Sequence, residues 1–189
     1  MNTNEIFNQM LSSYDITTEL QKRNAIFEVN QQIILSGLYN GGFFNEAAFY
    51  GGTCLRIFHG LHRFSEDMDF SLLAPNENFD FTHYFQPIID QFAMVGREVE
   101  IRKKDKKNFG KVESAFLKDN TDVYDITFQT EKSVKIKIEV DTQPPLKFQT
   151  EVASAPPIFH DTMFHFASPL CRKDACTGVS CLEEQSQGT

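Results

Sequence analysis

The chain has 189 residues, 41% of them hydrophobic, with 19 phenylalanines, four cysteines, no tryptophan and a formal net charge of −8. That length suffices for one domain with a sizeable core, and the acidic balance excludes a general nucleic-acid binder held by phosphate attraction alone. No apolar run approaches the roughly 18 residues that span a bilayer, and the polar N-terminus lacks a signal-peptide pattern, so no membrane, a cytoplasmic setting and cysteines kept as thiols are expected.

Apolar residues recur at helical spacing over Asn4–Ser13 and Glu19–Leu38, the second run including Ile26, Phe27, Val29, Ile33 and Ile34 and ending at Gly41-Gly42. Two N-terminal helices are therefore predicted. Ala47–Tyr50 is a short apolar strand candidate entering Gly51-Gly52, after which Thr53–His59 reads as a short helix with Leu55 and Phe58 inward. Asp67–Leu73 alternates, with Met68, Phe70 and Leu72 on one face and Asp67, Asp69 and Ser71 on the other, as a half-buried strand does. Asp80–Val95 reads as a helix with Pro87 near a kink or boundary.

Glu98–Lys103, Lys111–Leu117 and Val123–Gln129 are strand candidates. Ser133–Asp141 is a further one, setting Val134, Ile136, Ile138 and Val140 against Lys135, Lys137, Glu139 and Asp141, and Pro144-Pro145 stops it. This order predicts the α+β class: a mixed or antiparallel sheet, ending in an antiparallel run of strands, with helices packed on one face.

The chemistry concentrates in residues 51–69. A Gly-Gly turn at a helix start brings backbone N–H groups and partial positive charge to a phosphate. About fifteen residues on, Asp67 and Asp69 stand at i and i+2 of a strand, so both carboxylates leave one face and can share a divalent metal. Nucleotidyl transfer needs little more than such metal-held phosphates and an in-line hydroxyl. A third carboxylate is expected from an adjacent strand, and the polar face of Ser133–Asp141 offers Glu139 or Asp141.

Arg63 and Ser65 precede the pair at the same spacing and face the phosphate if the strand begins early; a cap or turn role for Ser65 is the alternative. His59 and His62 read as surface or loop residues. Eight of the 18 basic residues lie between Arg97 and Lys118, including Arg102-Lys103-Lys104-Asp105-Lys106-Lys107; this run is either a solvated loop or a phosphate-contacting lip for an RNA acceptor.

At Phe49-Tyr50-Gly-Gly-Thr-Cys-Leu-Arg-Ile-Phe through Arg63-Phe-Ser-Glu-Asp-Met-Asp-Phe70, and again at Lys135-Ile-Lys-Ile-Glu-Val-Asp-Thr-Gln-Pro-Pro-Leu146, the chain resembles the AbiEii/AbiGii-type nucleotidyltransferase toxins. The resemblance implies a DNA polymerase β-like nucleotidyltransferase fold and a toxin of a bacterial abortive-infection toxin–antitoxin pair. It further implies Mg²⁺-dependent transfer from an NTP to the tRNA 3′ end, and a cognate antitoxin as partner. By the same resemblance Gly51, Gly52 and Thr53 form the phosphate-binding turn with Arg63 and Ser65 facing the nucleotide. Asp67 and Asp69 bind metal, with Glu139 the first choice for a further carboxylate and Asp141 the second.

The resemblance spans roughly Ala25 to Glu151, so residues 1–151 are expected to form the nucleotidyltransferase domain, incomplete at its end. Residues 152–189 read as a foreign, disordered tail rich in Ser, Gln, Glu and Gly. Back-translated one base later, that tail can encode Leu-Pro-Leu-Phe-Ala-Gly-Lys-Met-His-Ala-Leu, like the segment that continues the family, and this marks a frameshifted product. The shifted segment carries a lysine and, beyond it, an aspartate that the family uses at its active site, so weak or no activity is expected. A catalytically inactive remnant binding NTP or antitoxin is the alternative function; an unrelated Mg²⁺-dependent phosphotransferase is a third. Cys171, Cys176 and Cys181 are spaced too widely for a structural zinc site. Loss of covering helices would leave Val134, Ile136, Ile138 and Val140 open to solvent.

Overall fold

A computed structural model describes residues 3–104, 120–129, 134–144, 150–154 and 165–169. Helix α1 (Thr3–Leu11) and helix α2 (Glu19–Asn40) lead, as the periodicity predicts. Thr18 caps α2 in a reciprocal box with Gln21, its hydroxyl accepting from the Gln21 N–H at 3.2 Å while the Gln21 side chain accepts from the Thr18 N–H at 3.0 Å. These bonds satisfy donors that a helix start otherwise leaves unpaired. From Val29 to Leu38 every residue of α2 is buried, so α2 is the central helix of the core and not a one-sided surface helix. At Gly37 a methyl group would stand 2.6 Å from the Ile88 Cα, which lets the backbone of a later helix lie directly against it.

Strand β1 (Ala47–Tyr50), helix α3 (Gly51–His59) and strand β2 (Met68–Leu72) follow in the predicted order. The single helix expected over Asp80–Val95 is in fact a 3-10 turn, Phe81–Tyr84, followed by α4 (Phe85–Met94). Asp80 ends the loop by accepting from the Thr82 N–H at 2.9 Å. Pro87 falls within the first turn of α4, where no intrahelical donor is required, so it neither kinks nor breaks the helix.

Strands β3 (Val99–Lys103), β4 (Thr121–Phe128) and β5 (Lys135–Asp141) complete one sheet of order β1-β2-β5-β4-β3. β1 pairs antiparallel with β2, β5 with β4 and β4 with β3. The expected antiparallel run is present as β3, β4 and β5, and the parallel β2–β5 pair makes the whole sheet a mixed one. The strand expected over Lys111–Leu117 lies outside the described residues. β6 (Thr150–Ser154) and β7 (His165–Pro169) form a separate antiparallel pair, with β7 running close to β1.

The register stacks Phe49, Phe70 and Val140 in one row and Met68, Ile138 and Tyr124 in another, and all six are buried. α2 and α4 join this face to a single core, in which Phe43 lies against Phe70, Phe81 and Tyr84 at ring separations of 5.2, 5.4 and 4.9 Å. α1 docks through Phe7 and Met10, with the buried Arg97 guanidinium 3.9 Å from the Phe7 ring centre. The expectation that Val134, Ile136, Ile138 and Val140 lie open is overturned: they are 5%, 0%, 0% and 0% exposed, because α2 and α4 supply the cover within this chain. Alternation then forces Asp69, Lys137 and Glu139 onto the opposite face.

Candidate active site

Gly51 opens the site. Its φ of +80° is the left-handed region that glycine enters freely, and a methyl group there would lie 2.1 Å from Asp69 Oδ2. Thus the turn between β1 and α3 is built against the carboxylate, and no residue with a side chain fits. At Gly52 a methyl group would stand 3.2 Å from both Cβ and Oγ of Ser65, so Ser65 flanks the helix start; β2 begins only at Met68, and Arg63 and Ser65 therefore lie in the loop before the strand and not on an early extension of it. Tyr50 caps α3 without any side-chain hydrogen bond, which leaves the first-turn N–H groups of α3 without a capping oxygen.

Thr53 is fully buried, and its hydroxyl donates to the Asp67 carbonyl and, at 3.4 Å, to the Ser65 carbonyl. Gln31, reaching from α2, donates through Nε2 to the same Ser65 carbonyl at 3.0 Å and to Glu66 at 3.2 Å. The three carbonyls before β2 are therefore each tied to a buried donor, and the backbone that carries Asp67 is held from two helices. Arg56 adds a third tie, pairing with Glu28 and donating to the His62 carbonyl at 3.2 Å. Arg63 is exposed and, among the described residues, holds no ion pair; His59 and His62 are exposed as expected.

The parallel register sets Asp69 directly beside Glu139 and Ser71 beside Asp141, while Tyr50 stands across β1 from Asp69. Asp67, Asp69 and Glu139 thus meet on one polar sheet face. Asp141 lies on that face one pair farther along, buried at 6% exposure and accepting from the Gln143 N–H at 3.0 Å. Burial, then Glu139, then Asp67 push the Asp69 carboxyl up to about 7. Burial, then Asp69, Asp141 and Glu139, raise the Tyr50 phenol above its ordinary value.

Lys137 is the residue the sequence reading passed over. Its Nζ lies 2.9 Å from Asp67 Oδ2 and 2.9 Å from Glu139 Oε1. Burial works against this ammonium, but hydrogen bonds to Asp67 and Glu139 outweigh it and hold its pKa above the usual lysine value. Strand alternation already put Lys137 on the face of Glu139; that it reaches Asp67 depends on the β2–β5 register. Gln31 and Tyr50 carried no comparable signal in the sequence.

Among the described residues no group of three or more His, Cys, Asp or Glu side chains is gathered closely enough to hold a metal ion. The chemistry of the donors nonetheless suits one. Carboxylate oxygens are what a hard divalent cation takes, and the mutual repulsion seen at Asp69 is what such a cation relieves. A divalent cation would be held by Asp67, Asp69 and Glu139, with Asp141 on the same face beside Ser71.

The profile of the family described as nucleotidyl transferase AbiEii toxin, type IV toxin–antitoxin system, matches residues 33–172. The chain belongs to the AbiEii nucleotidyltransferase toxin family. That match takes in the glycine turn, both strand motifs and part of the 152–189 segment that the sequence resemblance left outside. No curated protein matched in a sequence comparison.

Among solved structures, the nucleotidyltransferase toxin MenT4 from Mycobacterium tuberculosis H37Rv is similar at a TM-score of 0.51 and 18% identity, over 90% of this chain and 55% of that one. JHP933 from Helicobacter pylori is similar at a TM-score of 0.45 and 17% identity, over 81% of this chain and 54% of that one. The AbiEii chain thus spans little more than half the length of either structure, and the MenT4 likeness is one of fold: a mixed α+β nucleotidyltransferase architecture. No helix among the described residues is long and apolar enough to cross a membrane.

Proposed function

We propose that this AbiEii-family chain carries the catalytic site of a nucleotidyltransferase toxin that transfers nucleotides from an NTP to an RNA 3′ hydroxyl, with tRNA as acceptor and an antitoxin as partner. The observation that carries the reading is the placement of Asp69 beside Glu139 on parallel strands, with the Gly51 turn packed against the Asp69 carboxylate. The acceptor hydroxyl attacks the α-phosphorus, the bond to the bridging oxygen breaks and pyrophosphate leaves. A bound Mg²⁺ would neutralise phosphate charge and polarise the reacting oxygens.

The chain's own residues bind and orient. N–H groups at the start of α3 receive the phosphates and Ser65 flanks that turn, while a nucleotide contact for exposed Arg63 rests on the sequence resemblance. Asp67, Asp69 and Glu139 hold the cation on a rigid sheet. Thr53 and Gln31 fix the backbone beneath them, so little reorganisation is needed when substrate arrives. The tRNA acceptor and the antitoxin rest on the sequence resemblance.

The alternative from the sequence reading is an inactive remnant that binds NTP or antitoxin. Incubation with labelled NTPs, Mg²⁺ and tRNA separates the two. Label on tRNA that vanishes in Asp67→Ala supports transfer. Saturable NTP binding without label on RNA supports the remnant, and NTP turnover independent of RNA would defeat both.

A further inference from the structure

Two lysines stand on the polar face of β5 and choose different partners. Lys135 reaches Asp125 Oδ2 at 2.7 Å, toward β4, with 51% of its side chain exposed. Lys137 reaches the other way and bridges Asp67 on the β2 side to Glu139 on its own strand, 2.9 Å from each, with 30% of its side chain exposed. A single positive charge therefore sits between two carboxylates of different strands, where a bridging cation would otherwise be placed. The oxygens it occupies, Asp67 Oδ2 and Glu139 Oε1, are ones a metal would need as ligands.

We propose that Lys137 is a resident counter-ion of the metal site. Its ammonium holds Asp67 and Glu139 together while no divalent cation is bound, and it must release at least one of them before a cation can bridge the pair. This rests on the reading of these carboxylates as metal ligands. A tethered ammonium competes at high effective concentration, so free divalent cation binds the empty site weakly. A cation arriving with a nucleotide brings phosphate oxygens as further ligands, and those phosphates give the displaced ammonium a new anionic partner. The device would favour loading by the metal–nucleotide complex over loading by free metal.

The test uses the full chain without nucleotide and Mn²⁺ as probe, with free Mn²⁺ read by electron paramagnetic resonance. Lys137→Met is expected to bind Mn²⁺ about tenfold more tightly than the unaltered chain, since a cation–cation repulsion at contact range is removed. Lys137→Arg, whose fork pairs carboxylates more firmly, is expected to bind severalfold more weakly. Lys135→Met should leave the affinity where it was.

An unchanged or lower affinity in Lys137→Met, or an equal rise in Lys135→Met, overturns the proposal. If Lys137→Met does not fold, Lys137→Arg decides alone, and an affinity unchanged or raised overturns it. Mn²⁺ binding absent from the unaltered chain and from every variant overturns it together with the metal-ligand reading. The predicted shifts without any transfer to RNA would leave the counter-ion in place and sink only the catalytic proposal.

Discussion

Replacing Asp69 by asparagine should make the metal-free protein more stable while abolishing transfer. The Asp69 carboxyl is raised from 3.8 to about 7, by burial first and then by Glu139 and Asp67. Because the folded pKa exceeds the unfolded one, the folded state keeps a proton that the unfolded state has lost across that window. The favourable contribution is therefore complete below pH 3.8, declines as pH rises to about 7 and is gone above it. About three pKa units correspond to a ceiling on the order of 4 kcal/mol.

Asparagine cannot ionise and escapes this decline. Urea unfolding followed by circular dichroism, in chelator, should show Asp69→Asn more stable by at least ~1 kcal/mol at pH 8, once screening and residual unfolded-state charge are allowed for. At pH 4 the two proteins should agree within ~0.5 kcal/mol. A variant less stable than the parent at pH 8, or a gain of the same size at both pH values, would refute the reasoning. The same substitution removes a metal-holding oxygen, so loss of transfer alongside the gain in stability is the expected signature of a strained functional carboxylate.

Two further substitutions test the scaffold. Gly51→Ala places a methyl group 2.1 Å from Asp69 Oδ2 at a φ of +80°, and should cost about 1–3 kcal/mol in urea titration together with any nucleotide binding; an unchanged midpoint would show that the turn is not built against Asp69. Gln31→Leu leaves the Glu66 carbonyl without its buried donor and the Ser65 carbonyl with only the longer bond from Thr53, at a cost of about 1–3 kcal/mol. Amide exchange should then rise around residues 65–67 ahead of the rest of β2, and uniform acceleration across the sheet would argue against a local role.

Much of the architecture follows from local pattern. Ala47–Tyr50 is a strand and Gly51–His59 a helix within two residues of their expected bounds, since a short apolar run, a glycine pair and a positive-φ glycine at position 60 each act on their neighbours alone. The alternation of Met68, Phe70 and Leu72, and of Ile136, Ile138 and Val140, gave the buried face correctly, because strand periodicity is a local property. Local pattern misled where a distant partner intervened. Phe81–Tyr84 tightened into a 3-10 turn as its aromatic rings packed around Phe43, and the β5 apolar row was closed by α2 and α4.

The site divides along the same line. Residue order alone put a glycine turn ahead of Asp67 and Asp69 and set Lys137 and Glu139 on one face of a later strand, because spacing of two residues decides which side chains share a face. Which of Glu139 and Asp141 stands beside Asp69 was decided by the parallel β2–β5 register, a pairing between segments about seventy residues apart that no local signal encodes. The same register drew the Lys137 ammonium to Asp67, and helix packing brought Gln31 beneath Ser65. Chemistry was written in the side chains; their mutual distances were set only when the sheet closed on its core.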